Sequence, residues 1–400
     1  MPRPATTPAV LVLLLASLVS CLAYAAESTP RPRARDLGVP FDGTPGPLNA
    51  ITDVEGVRVG HTTLISGSGK LVVGKGPVRT GVTAVLPRAP ADMMDHFAFA
   101  GWFAQNGAGE MTGTAWVEES GFLEGPVMIT NTHSVGVVHD AVIAWRVAHG
   151  PADANDFWWS TPVVAETWDG WLNDINGFHV KPEHVFQAIE SAHGGRVEEG
   201  NIGGGTGMIC YGFKGGIGSS SRKLADKYGG YTVGVLVQCN YSGNSRQNLR
   251  IAGIPVGREI PGTEPYTGRR SELAEDGSII VVVATNAPLL PHQLKRIARR
   301  VTLGLGRTGG IGGNDSGDLF IAFSTANFAA SQPEHAAELK MVPNESLDAL
   351  FAATVQATEE AIVNAMVAAT DMTGADGHEV RALPHDQLRA VLAKYNRLAQ

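Results

Sequence analysis

Ile279, Ile280, Val281, Val282 and Val283 form an unbroken β-branched run, and such a run suits a strand buried on both faces. That demand constrains the rest of the chain, because something apolar must cover each side of the sheet that holds this strand. Part of the cover lies just downstream. After the break at Asn286-Ala287-Pro288, Leu294, Ile297, Ala298 and Val301 recur at helical spacing, with Lys295, Arg296, Arg299 and Arg300 between them. Further short runs rich in Val, Ile or Thr, separated by Gly-rich turns, predict strands at 81–86, 127–130, 162–165 and 230–238. Helical periodicity spans 137–149, with Gly150 expected as its C′ residue. Beyond the strand expected in "GDLFIAFSTAN", Asn344 reads as an N-cap. Leu347, Leu350, Phe351, Val355, Ile362 and Met366 then share one face, with Thr358 its one hydroxyl. Gly374 is the expected stop, and a last helix after Pro384 carries Leu388, Val391, Leu392 and Tyr395. Strands and helices interleave throughout and no internal repeat occurs, so the class is α/β or α+β, with helices covering a mixed sheet.

The 400 residues suffice for one large domain or two ordinary ones. A net charge of -8 argues against nucleic acid as a partner. The opening "MPRPATTPAVLVLLLASLVSCLAYAAES" has Arg3 ahead of an apolar stretch from 9 to 19, then Ala23-Tyr24-Ala25 as a small-x-small cleavage site. That pattern is a secretory signal peptide over residues 1–25. The stretch is shorter than the roughly 20 apolar residues of a membrane span. "LVSC" at 18–21 also resembles a lipobox, a second reading in which Cys21 is lipidated. Either way the protein is expected to be periplasmic or secreted. Residues 28–49 are a Pro- and Arg-rich lead-in. Of the cysteines, Cys210 and Cys239 then remain. An oxidising compartment permits a bridge, but their apolar, glycine-rich surroundings favour two buried free thiols.

Nucleotide and metal chemistry find little support. "GLGRTGG" matches G-x-G-x-x-G at Gly304, Gly306 and Gly309, but it follows a helix rather than a strand, the wrong context for a dinucleotide fingerprint. "GNIGGGTGMICYGFKGGIG" has neither that spacing nor the Walker spacing; it reads as a turn needing positive φ values, or as a loop beside a site. The 12 histidines include no H-E-x-x-H, and no G-x-S-x-G elbow is present. No metal and no cofactor are expected.

One dipeptide does not fit the pattern of a buried strand. Gly277-Ser278 stands directly before the β-branched run. On composition, Ser278 is an ordinary strand-edge residue. A second reading uses every oddity together. A cut between the two residues would make Ser278 an N-terminus at the end of a rigid strand. It would then carry a hydroxyl nucleophile and a free α-amine whose reference pKa of about 7.7–8.0 suits proton transfer near neutrality. Glycine before the cut can take the backbone conformation that exposes its carbonyl to Ser278 Oγ.

At these residues the chain resembles a known family. "EDGSIIVVVATNAPLLPHQLKRIARR", "GRTGGIGGNDSGDLFIAFSTAN", "GNIGGGTGMICYGFKGGIG", "PVVAETWDG" and "VGVLVQCNY" together resemble the DmpA-like self-processing aminopeptidases, and among them the exported β-peptidyl aminopeptidases. The resemblance runs from about Asp53 to the end. It implies a four-layer αββα fold similar to N-terminal-nucleophile hydrolases. It also implies a precursor cut into an α chain, 26–277, and a β chain, 278–400, that together make one folded unit. Self-association of αβ pairs, as a tetramer, is implied as well. Carried over by position, Ser278 is the self-cleavage and catalytic nucleophile, and Gly277 precedes the cut. Ser316 and Asp318 of "NDSGD" form a hydrogen-bonded chain behind it, where some relatives carry Glu. Period-two spacing puts those two side chains on one side of an extended segment. Asn240 matches an oxyanion-hole amide, its other reading being a turn residue. Glu166 matches the carboxylate that receives the substrate ammonium, its other reading being a solvated strand-end charge. Trp168 is expected as a pocket wall, and Asn131 and Ser134 as cleft residues.

The activity implied is a serine aminopeptidase acting on short peptides and amino-acid amides, β-alanyl ones preferred. An L-aminopeptidase with D-amide or D-ester activity is the alternative. Two readings from other classes stand beside it. A self-cleaving acyltransferase would place Thr at the cut and have no reason for a signal peptide. An exported ligand-binding protein would leave Gly277-Ser278 inert.

Overall fold

The computed structural model describes residues 31–150, 159–241, 246–262, 265, 276–332 and 336–399. The expected signal peptide and Cys21 lie outside them. Along the chain, strands β1 (Arg58–Ser66) and β2 (Val78–Leu86) precede helix α1 (Pro90–Met93) and strand β3 (Ala98–Gly107). Helix α2 (Thr114–Ser120), strands β4 (Phe122–Leu123) and β5 (Val127–Asn131), helix α3 (Val135–His149), strand β6 (Val163–Thr167) and helix α4 (Pro182–Glu190) follow. A two-residue-a-side hairpin, β7 (Ile209–Cys210) and β8 (Phe213–Lys214), leads into β9 (Gly216–Lys223) and β10 (Thr232–Asn240). After α5 (Val256–Glu259) come β11 (Asp276–Thr285), α6 (Pro291–Thr308), β12 (Asp315–Ser324) and α7 (Asp348–Val367). The small strands β13 (Met372–Thr373) and β14 (Glu379–Val380) precede α8 (His385–Lys394).

Two large sheets, ordered β1-β2-β5-β6 and β4-β3-β12-β11-β10-β9, stand beside the two-stranded pairs β7-β8 and β13-β14. β11 and β12 run parallel at the centre of the larger sheet, with antiparallel neighbours on both sides. The β-branched run is therefore a central strand, and its alternation serves two cores. Ile279, Val281 and Val283 pack with Leu294, Ile297 and Val301 of α6 and Ala357 and Ala361 of α7. Ile280, Val282 and Ala284 pack instead against Val85, Val127, Ile129 and Ala165 of the smaller sheet. The outer face of that sheet, through Val82, Ala84, Met128 and Val164, is covered by Val138, Val142 and Trp145 of α3 and Val185 and Ile189 of α4. This is an αββα sandwich. Each fully buried Val or Ile contributes roughly 1.5–3 kcal/mol, so a polar residue anywhere in 279–283 would open a hole in one core or the other.

Several boundaries differ from the periodicity, each for a physical reason. Gly150 ends α3 in an extended conformation, φ -78°, so it is no left-handed C′ glycine. Asn344 begins a separate turn of 3-10 helix, and its Oδ1 instead accepts hydrogen bonds from Gln293 Nε2 and Arg296 Nη1 of α6, at 3.2 and 3.0 Å. α7 stops at Val367, well before Gly374. It is buried on nearly all sides because Glu360 is matched by Arg35 and Arg222, each at 2.7 Å. Cys210 and Cys239 are joined by a disulfide, Cα atoms 5.7 Å apart, which corrects the free-thiol expectation. The apolar surroundings that suggested thiols are where β7 is laid against β10.

Residues 32–400 form one compact unit, and β10, from the segment before Gly277-Ser278, pairs within one sheet with β11, which contains that dipeptide. Among the described residues no helix is long and apolar enough to cross a membrane.

Candidate active site

Three strand ends meet at Ser278. Asn240, the last residue of β10, pairs across from it, and Gly317 of β12 pairs with it on the other side. Ser278 is 7% exposed. Its Oγ donates to the Gly277 carbonyl at 2.7 Å and accepts from the Gly317 amide at 3.2 Å. Gly277 has φ 127°, in a region that residues with a Cβ rarely enter. A hydroxyl thus lies against the carbonyl that precedes it, and glycine allows the backbone to hold that arrangement.

Ser316 and Asp318 are fully buried, and Ser316 Oγ donates to Asp318 Oδ1 at 2.6 Å. The expected pair on one face is present. Register decides which face. Gly277 pairs with Ser316 and Ile279 with Asp318, so both side chains stand on the face that α6 and α7 cover. Ser278 and Asn240 stand on the inter-sheet face. Ser278 Oγ hydrogen-bonds neither Ser316 nor Asp318. The pair lies behind Ser278 across its own strand, beside the Gly277-Ser278 peptide. Gln105 Nε2 of β3 approaches Asp318 Oδ2 at 3.5 Å.

Asn240 is buried, and its Oδ1 accepts from the Ile209 amide at 2.8 Å. That bond orients the side chain and leaves its NH2 as the free end, a preorganised donor beside Ser278.

Glu166 is the next-to-last residue of β6 in the other sheet and is 4% exposed. Its Oε1 accepts from the Glu110 amide at 3.0 Å, and its Oε2 from the Thr132 hydroxyl. Burial pushes its carboxyl above the ordinary 4.5, opposed by those two hydrogen bonds and by nearby His133. Gly109 brings it to the larger sheet. A Cβ at Gly109 would lie 3.2 Å from Glu166 Oε1 and 3.2 Å from the Gly317 Cα, so a side chain here would wedge the two apart.

Trp168, just past the end of β6 and two residues beyond Glu166, is 42% exposed. Ring stacking between His133 and Phe178 at 6.3 Å adds a second aromatic group on the side of Glu166. Asn131 and Ser134 are buried, as Glu166 and Ser278 are. Asn131 Nδ2 donates to Thr80 Oγ1 at 2.7 Å. Asn131 and Thr80 bear on Asp169, whose Oδ1 accepts from Asn173 Nδ2 at 3.0 Å. Full burial raises the Asp169 carboxyl to about 6, opposed by Thr80, Asn173 and Asn131.

Gly317, Gly109, Thr132 and Asp169 are parts of this site that sequence reasoning missed. Thr132 lies between Asn131 and Ser134, and Asp169 sits inside the quoted motif "PVVAETWDG", a polar cluster at a strand end being the available signal. The two glycines carry no signal of their own. Among the described residues no cluster of His, Cys, Asp and Glu could hold a metal ion.

A serine opening the central strand of an αββα sandwich, with an amide donor opposite and a buried carboxylate across the sheets, is the arrangement of a serine aminopeptidase of the N-terminal-nucleophile hydrolase class. The sequence matches peptidase family S58 over residues 49–380, and the chain belongs to that family. It is 55% identical over 397 residues to the β-peptidyl aminopeptidase BapA of Sphingosinicella microcystinivorans, covering 96% of this chain and 98% of that one. Among solved structures it is similar to the L-aminopeptidase D-Ala-esterase/amidase of Ochrobactrum anthropi, a serine aminopeptidase described as a variant of the Ntn hydrolase fold. The TM-score there is 0.85 at 50% identity, over 92% of this chain and 100% of that one. A β-aminopeptidase from a Burkholderia species gives a TM-score of 0.81 at 47% identity, over 91% and 99%. The protein is an aminopeptidase, and the reading as a non-catalytic binding protein is set aside.

Proposed function

We propose that this chain is an exported precursor that cuts itself between Gly277 and Ser278 and then releases N-terminal residues, β-amino acids preferred, from short peptides and amides. The observation that carries this reading is Ser278 Oγ at 2.7 Å from the Gly277 carbonyl oxygen, on a residue pair whose glycine has φ 127°. In the self-cleavage, Oγ adds to the Gly277 carbonyl carbon. The hydroxyl proton passes to the Ser278 nitrogen as the peptide bond breaks, leaving an ester. Water hydrolyses the ester, giving the Gly277 carboxylate and a Ser278 with free amine and hydroxyl.

In turnover, Glu166 receives the substrate ammonium, which aims the scissile carbonyl at Ser278. Oγ attacks, its proton going to the α-amine, and the Asn240 NH2 stabilises the oxyanion. The proton returns to the leaving amine, and water then hydrolyses the acyl-enzyme. Because Ser316 and Asp318 stand beside the Gly277-Ser278 peptide rather than beside Oγ, the pair serves the nitrogen of Ser278, holding and passing its proton. Trp168 walls the pocket. Asn131 supports the Glu166 side through Thr80 and Asp169.

The β-preference draws support from the β-peptidyl aminopeptidase at 55% identity. The Ochrobactrum anthropi enzyme at 50% identity favours the second reading, an L-aminopeptidase with D-amidase and D-esterase activity. Export rests on the 1–25 signal peptide, with a lipid anchor at Cys21 as its variant, and assembly of αβ pairs into a tetramer goes with the family. Intact mass and N-terminal sequencing of wild type and Ser278→Ala test the core of this reading. Wild type should give two chains, the smaller beginning Ser-Ile-Ile-Val, and the variant should stay whole and inactive. A wild type that stays whole, or a variant that is cut, overturns it. Rates on β-alanyl, L-alanyl and D-alanyl amides then decide the substrate class.

A further inference from the structure

The β7–β8 hairpin is too small to hold its own place. Each strand has two residues, and Tyr211 and Gly212 at its tip both have positive φ, 50° and 71°, as a tight two-residue hairpin turn requires. An isolated hairpin of this size is at best marginally stable. Its tip is packed into the core and also held by Arg246, which donates to the Gly212 carbonyl, and by Thr308, whose Oγ1 meets the Tyr211 hydroxyl at 3.0 Å. Against the larger sheet, three cross-links fall on the consecutive residues Cys239, Asn240 and Tyr241. Cys239 is bonded to Cys210. Asn240 Oδ1 accepts from the Ile209 amide at 2.8 Å. The Tyr241 carbonyl accepts from the Tyr211 amide at 2.7 Å. The covalent link therefore sits directly beside the one hydrogen bond that orients the Asn240 side chain, joining the residue after the donor to the residue before the acceptor.

We infer that the Cys210–Cys239 disulfide is a positioning element of the active site: it holds the Ile209 amide against Asn240 Oδ1 and so keeps the Asn240 NH2 aimed at the reacting carbonyl. This rests on the proposed role of Asn240 as oxyanion donor. Without the bond, the Ile209 amide can shift relative to the end of β10. The Asn240 amide then gains rotational freedom, and the donor is no longer preorganised when the oxyanion forms. Substrate ammonium is recognised on the other sheet, at Glu166, so ground-state binding is spared. The expected signature is a loss in kcat at nearly constant KM, because the interaction is made only in the transition state.

The test is a double-mutant cycle between Cys210→Ala/Cys239→Ala and Asn240→Ala, each enzyme assayed for kcat, KM and thermal midpoint. Alanine is chosen because both cysteines are fully buried and a serine would bury an unmet hydroxyl. Loss of an oxyanion donor costs about 10²–10³ in kcat; loosening it should cost about tenfold, and little or nothing more once Asn240 is already Ala. A purely structural staple would lower the thermal midpoint and reduce kcat equally in both backgrounds. Equal reduction, or no reduction, overturns the inference while leaving the Asn240 assignment intact. If Asn240→Ala alone leaves kcat unchanged, the assignment and the inference both fall. If the alanine pair does not fold, the same cycle runs on wild type and Asn240→Ala treated with dithiothreitol. That reagent closes to its cyclic disulfide as the two enzyme thiols form, and a thiol count follows the reduction. Two free thiols in the untreated, denatured protein would likewise overturn the inference.

Discussion

Replacing Glu166 by Gln separates binding from stability in a way that few readings of this site can accommodate. The carboxylate is buried, and its oxygens accept from the Glu110 amide at 3.0 Å and from the Thr132 hydroxyl. Both donors are neutral, and no Lys or Arg among the described residues is ion-paired with it. On the proposed reading, its negative charge is matched by the substrate ammonium. Removing one partner of a buried ion pair costs about 3–5 kcal/mol. Because Trp168, two residues on, is 42% exposed, the low end is used. About 3 kcal/mol corresponds to a loss of roughly 100-fold in kcat/KM, most of it in KM. Gln has nearly the same shape and can still accept from the Glu110 amide, so the fold should hold. The stability effect has the opposite sign. Burial raises the Glu166 carboxyl above 4.5, so its ionised form opposes folding at any pH above the raised value, and a neutral amide removes that cost. The variant should therefore melt at the same temperature as wild type or higher. The wild-type KM should climb as pH falls through the raised Glu166 pKa, where the ammonium loses its partner, and this limb should vanish in the variant. Steady-state kinetics on a β-alanyl anilide across pH, with a thermal melt of each protein, measure all three. A kcat/KM within about threefold of wild type, or an unchanged acid limb, refutes the ammonium role.

Asp318→Asn keeps the size of the side chain but removes the charge that accepts the 2.6 Å hydrogen bond from Ser316. Loss of a general acid–base relay lowers kcat by about 10²–10⁴, with KM little changed and self-cleavage slowed. Near-normal kcat in a stopped assay of the processed variant would remove the pair from the proton path. Asp169 tests the supporting layer through pH. Its folded pKa is raised from 3.8 to about 6, so its contribution to stability is fully present below about pH 4 and is lost as pH rises through 6. A shift of that size is on the order of 3 kcal/mol. Asp169→Asn should melt above wild type at pH 7, with the gap closing as pH falls toward 4, as calorimetry at several pH values would show. A gap that does not change with pH would mean that Asp169 is ionised throughout.

Sequence alone reached the fold class and the central strand because side-chain direction within a strand depends only on the local backbone. The run 279–283 had to be covered twice, and the structure covers it with α6 and α7 on one face and the smaller sheet on the other. The same period-two rule placed Ser316 and Asp318 together, and the Gly277-Ser278 pair stood out because nothing in a buried strand calls for it. Local spacing did not reveal that this pair stands across the strand from Ser278 Oγ, since that follows from the register of β11 against β12. Nor did it show α7 buried on nearly all sides, which depends on Arg35 and Arg222 reaching Glu360 from distant segments. The Cys210–Cys239 bond depended on where a small hairpin comes to rest. Most of all, only the tertiary structure joined Glu166 to the larger sheet through the space left by Gly109. Burial there, between residues far apart in the chain, is what raises the carboxyl.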